Sequence, residues 1–358
     1  MRILYFVLLF LSFACSRAKY SNEPTQVFSI EDFINDAHLK GITSAPTEAV
    51  RPAYIKVIPE YNILILLEMT DEYFGKVFTL DSMKYIRSFI KKGKEDGEQL
   101  STSNIQYYNK GEIIYVSDIY KRQLFSYSVD SLRCAQCSAT PIDIIDFDSR
   151  EIFKPVVLVD EKIVDLHSNY GADSIKSLSL FDLKGNSINE FGDYPIYSNV
   201  AGNYEADQLI NTYMSGLNTS EDYSKIMLNY LYADFIDIYD DKANLIKRLE
   251  GPGDIIPRFR TVNIRGGKAA IPRRSTGRSY TGNMLMNEFL LVLYNGSIVD
   301  ENDYHASKLF RFDSSFLPHT IYHLDYPIFT FDIDWTSKTI YGLAHDAPDG
   351  YSIVKYIL

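Results

Sequence analysis

One short unit recurs along this chain: a strand rich in aromatic and aliphatic residues, a turn opened by aspartate, and a second strand. It reads as Lys76-Val77-Phe78-Thr79-Leu80-Asp81-Ser82 followed by Met83–Ile90, and as Gln123-Leu124-Phe125-Ser126-Tyr127-Ser128-Val129-Asp130. It returns at Leu180-Phe181-Asp182-Leu183-Lys184-Gly185, at Phe235-Ile236-Asp237-Ile238-Tyr239-Asp240 and at Leu309-Phe310-Arg311-Phe312-Asp313, and a shortened copy, Tyr351–Tyr356, ends the chain. Copies spaced by roughly 45–75 residues match the interval of propeller blades. A module of a few short strands cannot shield its own faces, so neighbouring modules must stack. The repeat therefore predicts a closed, all-β ring.

Composition agrees with that reading. Apolar residues make up 46% and charged residues 23% of 358 residues, enough to build a core. The 28 Tyr and 21 Phe favour pleated, half-buried surfaces. A net charge of −11 opposes a nucleic-acid partner, which requires a basic face.

The blades are expected at about Pro52–Ile90, Asn104–Phe147, Phe153–Phe191, Asp207–Leu249, Phe259–Leu324 and from Ile328 to the end. Gly-containing exits follow the outer strands at Gly93–Gly97, Gly192 and Gly251–Gly253, where positive φ lets the chain turn into the next blade. Blade five is the longest, with polar insertions expected at Arg273–Asn283 and Asn295–His305. Gln26–Ile30 reads as a strand without a nearby partner, while the last blade lacks its outer strand. The expectation is that the first strand completes the last blade and closes the ring. A β-sandwich also has many short strands, but it explains neither the repeat nor the stray first strand. Six four-stranded antiparallel blades fit best; five or seven stay open because blades four and five are irregular.

The N-terminus carries Arg2 and then the apolar run Ile3–Leu11, too short to span a bilayer and suited to a signal peptide. The following Leu11-Ser12-Phe13-Ala14-Cys15 resembles a bacterial lipobox, with Phe13 bulkier than the usual residue. The resemblance implies a signal peptide over 1–14, lipidation of Cys15 and a tether over 15–25 ahead of a single domain over 26–358. Each buried acyl methylene would add about 0.8 kcal/mol of membrane affinity. Ser16 after the cysteine points, by the same resemblance, to the outer membrane. The alternative is an ordinary secretory signal with an incidental cysteine.

Lipobox, six blades and Gly-rich exits together resemble the TolB-like six-bladed β-propeller lipoproteins of Bacteroidetes. The resemblance covers nearly all of the mature chain. It implies a fold and a cell-envelope location rather than an activity.

Candidate chemistry is sparse. Cys134-Ala135-Gln136-Cys137 lies between strands rather than at a helix start, which argues against a thioredoxin-like site. No second CxxC or HxxxH completes a zinc site, and a local disulfide is the plainer reading. No Gly-x-Ser-x-Gly, P-loop, HExxH or EF-hand loop is present. No cofactor and no metal is expected. The segment with Arg258, Arg260, Arg273, Arg274 and Arg278 concentrates cations without a single acid in an acidic chain. Guanidinium forks grip carboxylates, sulfates and phosphates, and this stretch would reach a channel mouth if it emerged from an inner strand of blade five. Pairing with acidic neighbours would instead make these arginines structural. His345 and Asp346 follow a strand of blade six and could face the same channel; a solvent-exposed loop is the alternative.

The leading expectation is a binding or scaffold module whose ligand or partner is anionic: an envelope protein, a peptide terminus or an acidic glycan. An enzyme reading would make it a glycan lyase or hydrolase using His345, Asp346 and Arg274. The third reading is a purely structural part of an envelope complex.

Overall fold

The computed structural model describes residues 25–69, 72–147, 152–167, 176–195, 206–253, 255–264, 267–298, 304–346 and 350–358. The apolar leader, Cys15 and Ser16 lie outside the described residues. Six antiparallel blades form a ring, and five of them run first to fourth strand in sequence order. Blade one is Pro52–Ile58, Ile63–Glu68, Tyr73–Thr79 and Tyr85–Lys91, and blade two is Ile105–Tyr108, Ile113–Asp118, Gln123–Ser128 and Asp143–Asp146. Blade three is Val156–Val157, Ile163–Leu166, Lys176–Phe181 and Ser187–Asp193, and blade four is Ser215–Thr219, Lys225–Tyr230, Phe235–Asp240 and Leu245–Glu250. Blade five is Tyr280–Met286, Leu290–Tyr294, Ala306–Phe312 and Pro318–Ile328. Blade six is Thr330–Asp334, Thr339–Asp346, Gly350–Ile357 and, from the other end of the chain, Ile42–Ser44. The first strand of every blade touches the first strands of both neighbours, so these six line the centre.

The sequence pattern explains which strands sit where. Ile63–Glu68 is an apolar run with every residue buried, as a strand flanked in its own sheet and covered by blades on both faces requires. Each such Ile or Leu contributes about 1.5–3 kcal/mol of burial. Outer strands such as Tyr85–Lys91 are only half buried. Clusters such as Met227, Ile238, Tyr280, Leu290 and Phe310 weld blade four to blade five. The aspartates of the repeat are turn formers. Asp182, Asp240 and Asp313 each accept backbone N–H bonds from residues two and four positions on, holding the same third-to-fourth-strand turn in blades three, four and five. The exit glycines Gly97, Gly192 and Gly251 have φ of 78°, 77° and 145°.

Two expectations are corrected. The ring is closed by an N-terminal strand, but by Ile42–Ser44, with Thr43 opposite Val354. The strand expected for that place begins at Thr25 instead: Thr25–Val27 lies parallel to Leu245–Glu250 of blade four. Asn35–Leu39 then lies parallel to Pro318–Ile328 of blade five. The N-terminal segment thus straps three successive blades. Phe28 sets this register, because its ring is buried between blades four and five against Phe312, 5.1 Å away. Second, residues Phe259–Pro272 do not belong to blade five. They form a separate hairpin, Phe259–Ile264 with Gly267–Pro272, and the expected insertion Arg273–Asn283 contains the start of the true first strand at Tyr280.

Candidate functional site: one mouth of the channel

All first strands run in the same sense, so one face of the ring collects the blade-to-blade links and the turns between second and third strands. The long excursions lie here: the link from blade three to four, with a helix at Ala206–Thr212, and the link from blade four to five, with the 259–272 hairpin. The opposite face carries short turns, apart from 129–142 of blade two. Phe259 and Ala270 of the hairpin pack on Tyr232, and Gln208 Nε2 of the helix donates to Thr261 Oγ1 at 3.0 Å.

Acids at the ends of second strands fix where the first strands begin. Glu68 accepts the N–H groups of Val50 (2.7 Å) and Arg51 (3.3 Å). Asp118 accepts the N–H of Leu100 (2.6 Å) and the hydroxyl of Ser101 (2.8 Å). Asp165 accepts the N–H groups of Phe153 (2.7 Å) and Lys154 (2.6 Å). Burial pushes the Asp165 carboxyl up to about 7, against the pull of those donors. Asp234 plays the same part for the outgoing link, accepting from Gly253, Ile255 and the Ser279 hydroxyl. Carboxylates of this face are thereby occupied by the backbone.

Two adjoining cavities of about 330 and 250 Å³ open here, sharing Tyr54, Lys154, Met214 and Ser215 as walls. No Asp or Glu lines either one among the described residues. Lys154 is the cation common to both. Desolvation by burial pulls its pKa down, partly countered by the Asp165 charge. Arg278 is buried with its guanidinium 4.1 Å from the ring centre of Tyr304, which also lines the larger cavity. Phe329 lines it as well and stacks on His345 at 4.4 Å, while the His345 backbone N–H donates to His305 Nε2 at 2.9 Å. Burial holds the Tyr54 phenol at about 12, so it stays a neutral donor and acceptor.

The structure therefore gathers Arg278 and His345 at one mouth, with the remaining arginines beside them on the hairpin. Arg258, Arg260, Arg273 and Arg274 are exposed. Arg273 Nε donates to the Phe259 carbonyl at 3.0 Å, and the Arg258 carbonyl accepts from Arg273 and Thr276, which pins the base of the hairpin. The arginines lead into the first strand of blade five rather than emerging from it. The backbone of Asp346 ends the second strand of blade six, opposite Gly350; its side chain lies outside the description. Cys134 and Cys137 are joined in a disulfide on the opposite face, where Arg87 Nη1 donates to the carbonyls of Ser131, Cys134 and Cys137 at 3.1, 2.8 and 2.7 Å. Sequence reasoning did not single out Lys154, Asn229, Thr281 or Ser177. Asn229 had a legible signal, a polar amide inside the apolar run Ile226–Leu231.

The other mouth has the opposite character. Its cavity is lined by Glu60, Glu221, Asp334, Trp335 and Lys56. Lys56 Nζ pairs with Asp332 at 3.0 Å. Burial opposes its charge, yet Asp332 and Glu221 outweigh burial and raise its pKa. Trp335 donates to Glu221 at 3.2 Å. Among the described residues no His, Cys, Asp or Glu group has a metal-binding arrangement, and no helix is long and apolar enough to cross a membrane.

A family model described as TolB-like 6-blade propeller-like matches residues 40–336. Among solved structures, a DUF4221-family member from Bacteroides vulgatus aligns over 88% of this chain and 95% of its own, with 9% identity and a TM-score of 0.57. An exported-protein candidate from Bacteroides fragilis aligns over 93% of this chain and 99% of its own, with 11% identity and a TM-score of 0.54. At such identities the likeness is one of fold. No curated protein matches the sequence.

Proposed function

The chain belongs to the TolB-like six-bladed propeller family, and from that premise we propose an exported, lipid-anchored binding module that captures anionic ligands or partners at the insertion-bearing mouth. One observation carries the reading: cationic and aromatic side chains meet at cavities that no carboxylate lines among the described residues, in a protein of net charge −11. Fixed positive charge in a recessed, partly dry site attracts anions and repels cations. The hairpin arginines extend the same charge outward, where a polymer or a partner's acidic loop would lie.

The lipobox-like Leu11–Cys15 supports anchoring through Cys15, and the fold likeness to an exported-protein candidate agrees with export. Outer-membrane residence rests on Ser16. Replacing Cys15 with Ser is expected to release the protein from the membrane fraction.

Capture is tested by titrating the full mature chain with polygalacturonate, dextran sulfate and poly-glutamate, with neutral dextran as control. Saturable binding of a polyanion that weakens with salt, and that falls about tenfold or more in Arg273→Ala/Arg274→Ala, supports the reading. Equal behaviour toward polyanions and dextran overturns it.

A further inference from the structure

We propose that the paired cavities are a binding site for a sugar acid, a hydroxylated ring of monosaccharide size bearing one carboxylate. This deepens the anion-capture reading and rests on it, but it uses residues other than the hairpin arginines.

The first argument is unmet hydrogen-bonding capacity. Asn229 and Thr281 are wall residues of the larger cavity and Ser177 is one of the smaller, with side-chain oxygens Oδ1, Oγ1 and Oγ. All three residues are at least nine-tenths buried, and these atoms have no hydrogen-bond partner within the protein among the described residues. Buried polar atoms are nearly always paired, so three in the walls of two adjoining cavities point to a polar guest. Gly216, in the same wall, lets Asn229 Oδ1 lie against its backbone: a Cβ there would stand 2.3 Å away.

The second argument is charge. Lys154 is the cation shared by both cavities, and no carboxylate lines them among the described residues. A single half-buried ammonium suits a single carboxylate; among the described residues a cationic or zwitterionic guest would find no acid for its amine. The third argument is shape. The aromatic residues Tyr54, Tyr304 and Phe329 line the larger cavity, and the C–H face of a sugar ring covers aromatic surface. A volume of about 330 Å³ lies at the small end of ligand sites, which run from roughly 300 to 1,000 Å³. The opening to the mouth leaves room for the ring to be the end of a longer chain.

Calorimetric titration of the full mature chain with galacturonate, galactose and inorganic phosphate tests the assignment. Galacturonate is expected to bind at least about tenfold tighter than galactose, the worth of one charge-assisted bond. Lys154→Met is expected to abolish that preference while galactose binding changes little. Asn229→Asp, nearly isosteric, is expected to weaken galacturonate more than galactose by placing like charge in the cavity. Thermal unfolding of both variants establishes that they fold. Equal affinity for the two sugars, a preference that survives Lys154→Met, phosphate competing as well as galacturonate, or no saturable sugar binding would each overturn the proposal. Polyanion capture lost with the hairpin arginines but retained in Lys154→Met would leave the broader function standing and remove only this site.

Discussion

Arg248 closes on Asp237 through two parallel bonds, Nε to Oδ1 at 2.6 Å and Nη2 to Oδ2 at 2.8 Å, with both side chains out of solvent. The residues face each other in register across the third and fourth strands of blade four. The Tyr230 hydroxyl also donates to Oδ2, and Arg248 Nη2 reaches the Asp193 carbonyl at the end of blade three. One guanidinium thus joins two blades. Asp237→Ala would leave a buried cation and is expected to cost about 3–5 kcal/mol, whereas Asp237→Leu/Arg248→Met should cost less. Urea unfolding at constant m-value reads both.

Gly75 faces Phe89 across the third and fourth strands of blade one, and a Cβ on it would stand 2.2 Å from the Phe89 ring. The ring is buried and cannot swing outward, because it packs edge-on against Tyr127 of blade two at 5.2 Å. Gly75→Ala is expected to destabilise by about 1–3 kcal/mol through overpacking. Adding Phe89→Leu should recover part of that loss, measured as the change in denaturant midpoint.

Asp165 makes stability depend on pH in a stated direction. Its carboxyl titrates near 7 in the fold and near 3.8 when unfolded. Between those values the native protein holds a proton that the unfolded chain has released, so this residue's contribution falls as pH rises. The limit is about 4 kcal/mol across that window, and it is flat above and below. Asp165→Asn cannot titrate. The stability of the natural protein minus that of the variant is therefore expected to fall from pH 4 to pH 7, as read by urea melts at several pH values. A difference that rises with pH would contradict the burial argument.

The strap makes the N-terminus part of the ring. A chain beginning at Pro46 would lose the outer strand of blade six, the two parallel additions and the burial of Phe28. Its unfolding midpoint is expected to drop on the order of 10 °C. The bared edge of Gly350–Ile357 should also pair between molecules, giving dimers or larger species in sedimentation velocity.

Much of the architecture is legible without coordinates because it is local. Runs such as Ile63–Leu67, the Asp-led turns and the exit glycines each express backbone preferences within a few residues, and their repetition marks the blades. Legibility fails where a decision is made by distant chain. Gln26–Ile30 reads as the stray first strand and Ile42–Ser44 carries no strand signal of its own, and burial of Phe28 between blades four and five decides which goes where. Hairpin residues 259–272 read like blade strands because both are β. They lie apart because Phe259 and Ala270 find Tyr232 rather than a neighbouring sheet. The arginines stood out by density, whereas Lys154, a lone lysine before Pro155, did not.

The sequence by itself determined the strand modules and their order around a ring, since alternation and turn chemistry act over a handful of residues. The tertiary structure alone decided which acids are consumed by backbone N–H groups, and which cation and polar atoms face a common cavity. That is a matter of convergence: Lys154, Asn229 and Thr281 come from three blades, and only closure of the ring brings them to one mouth.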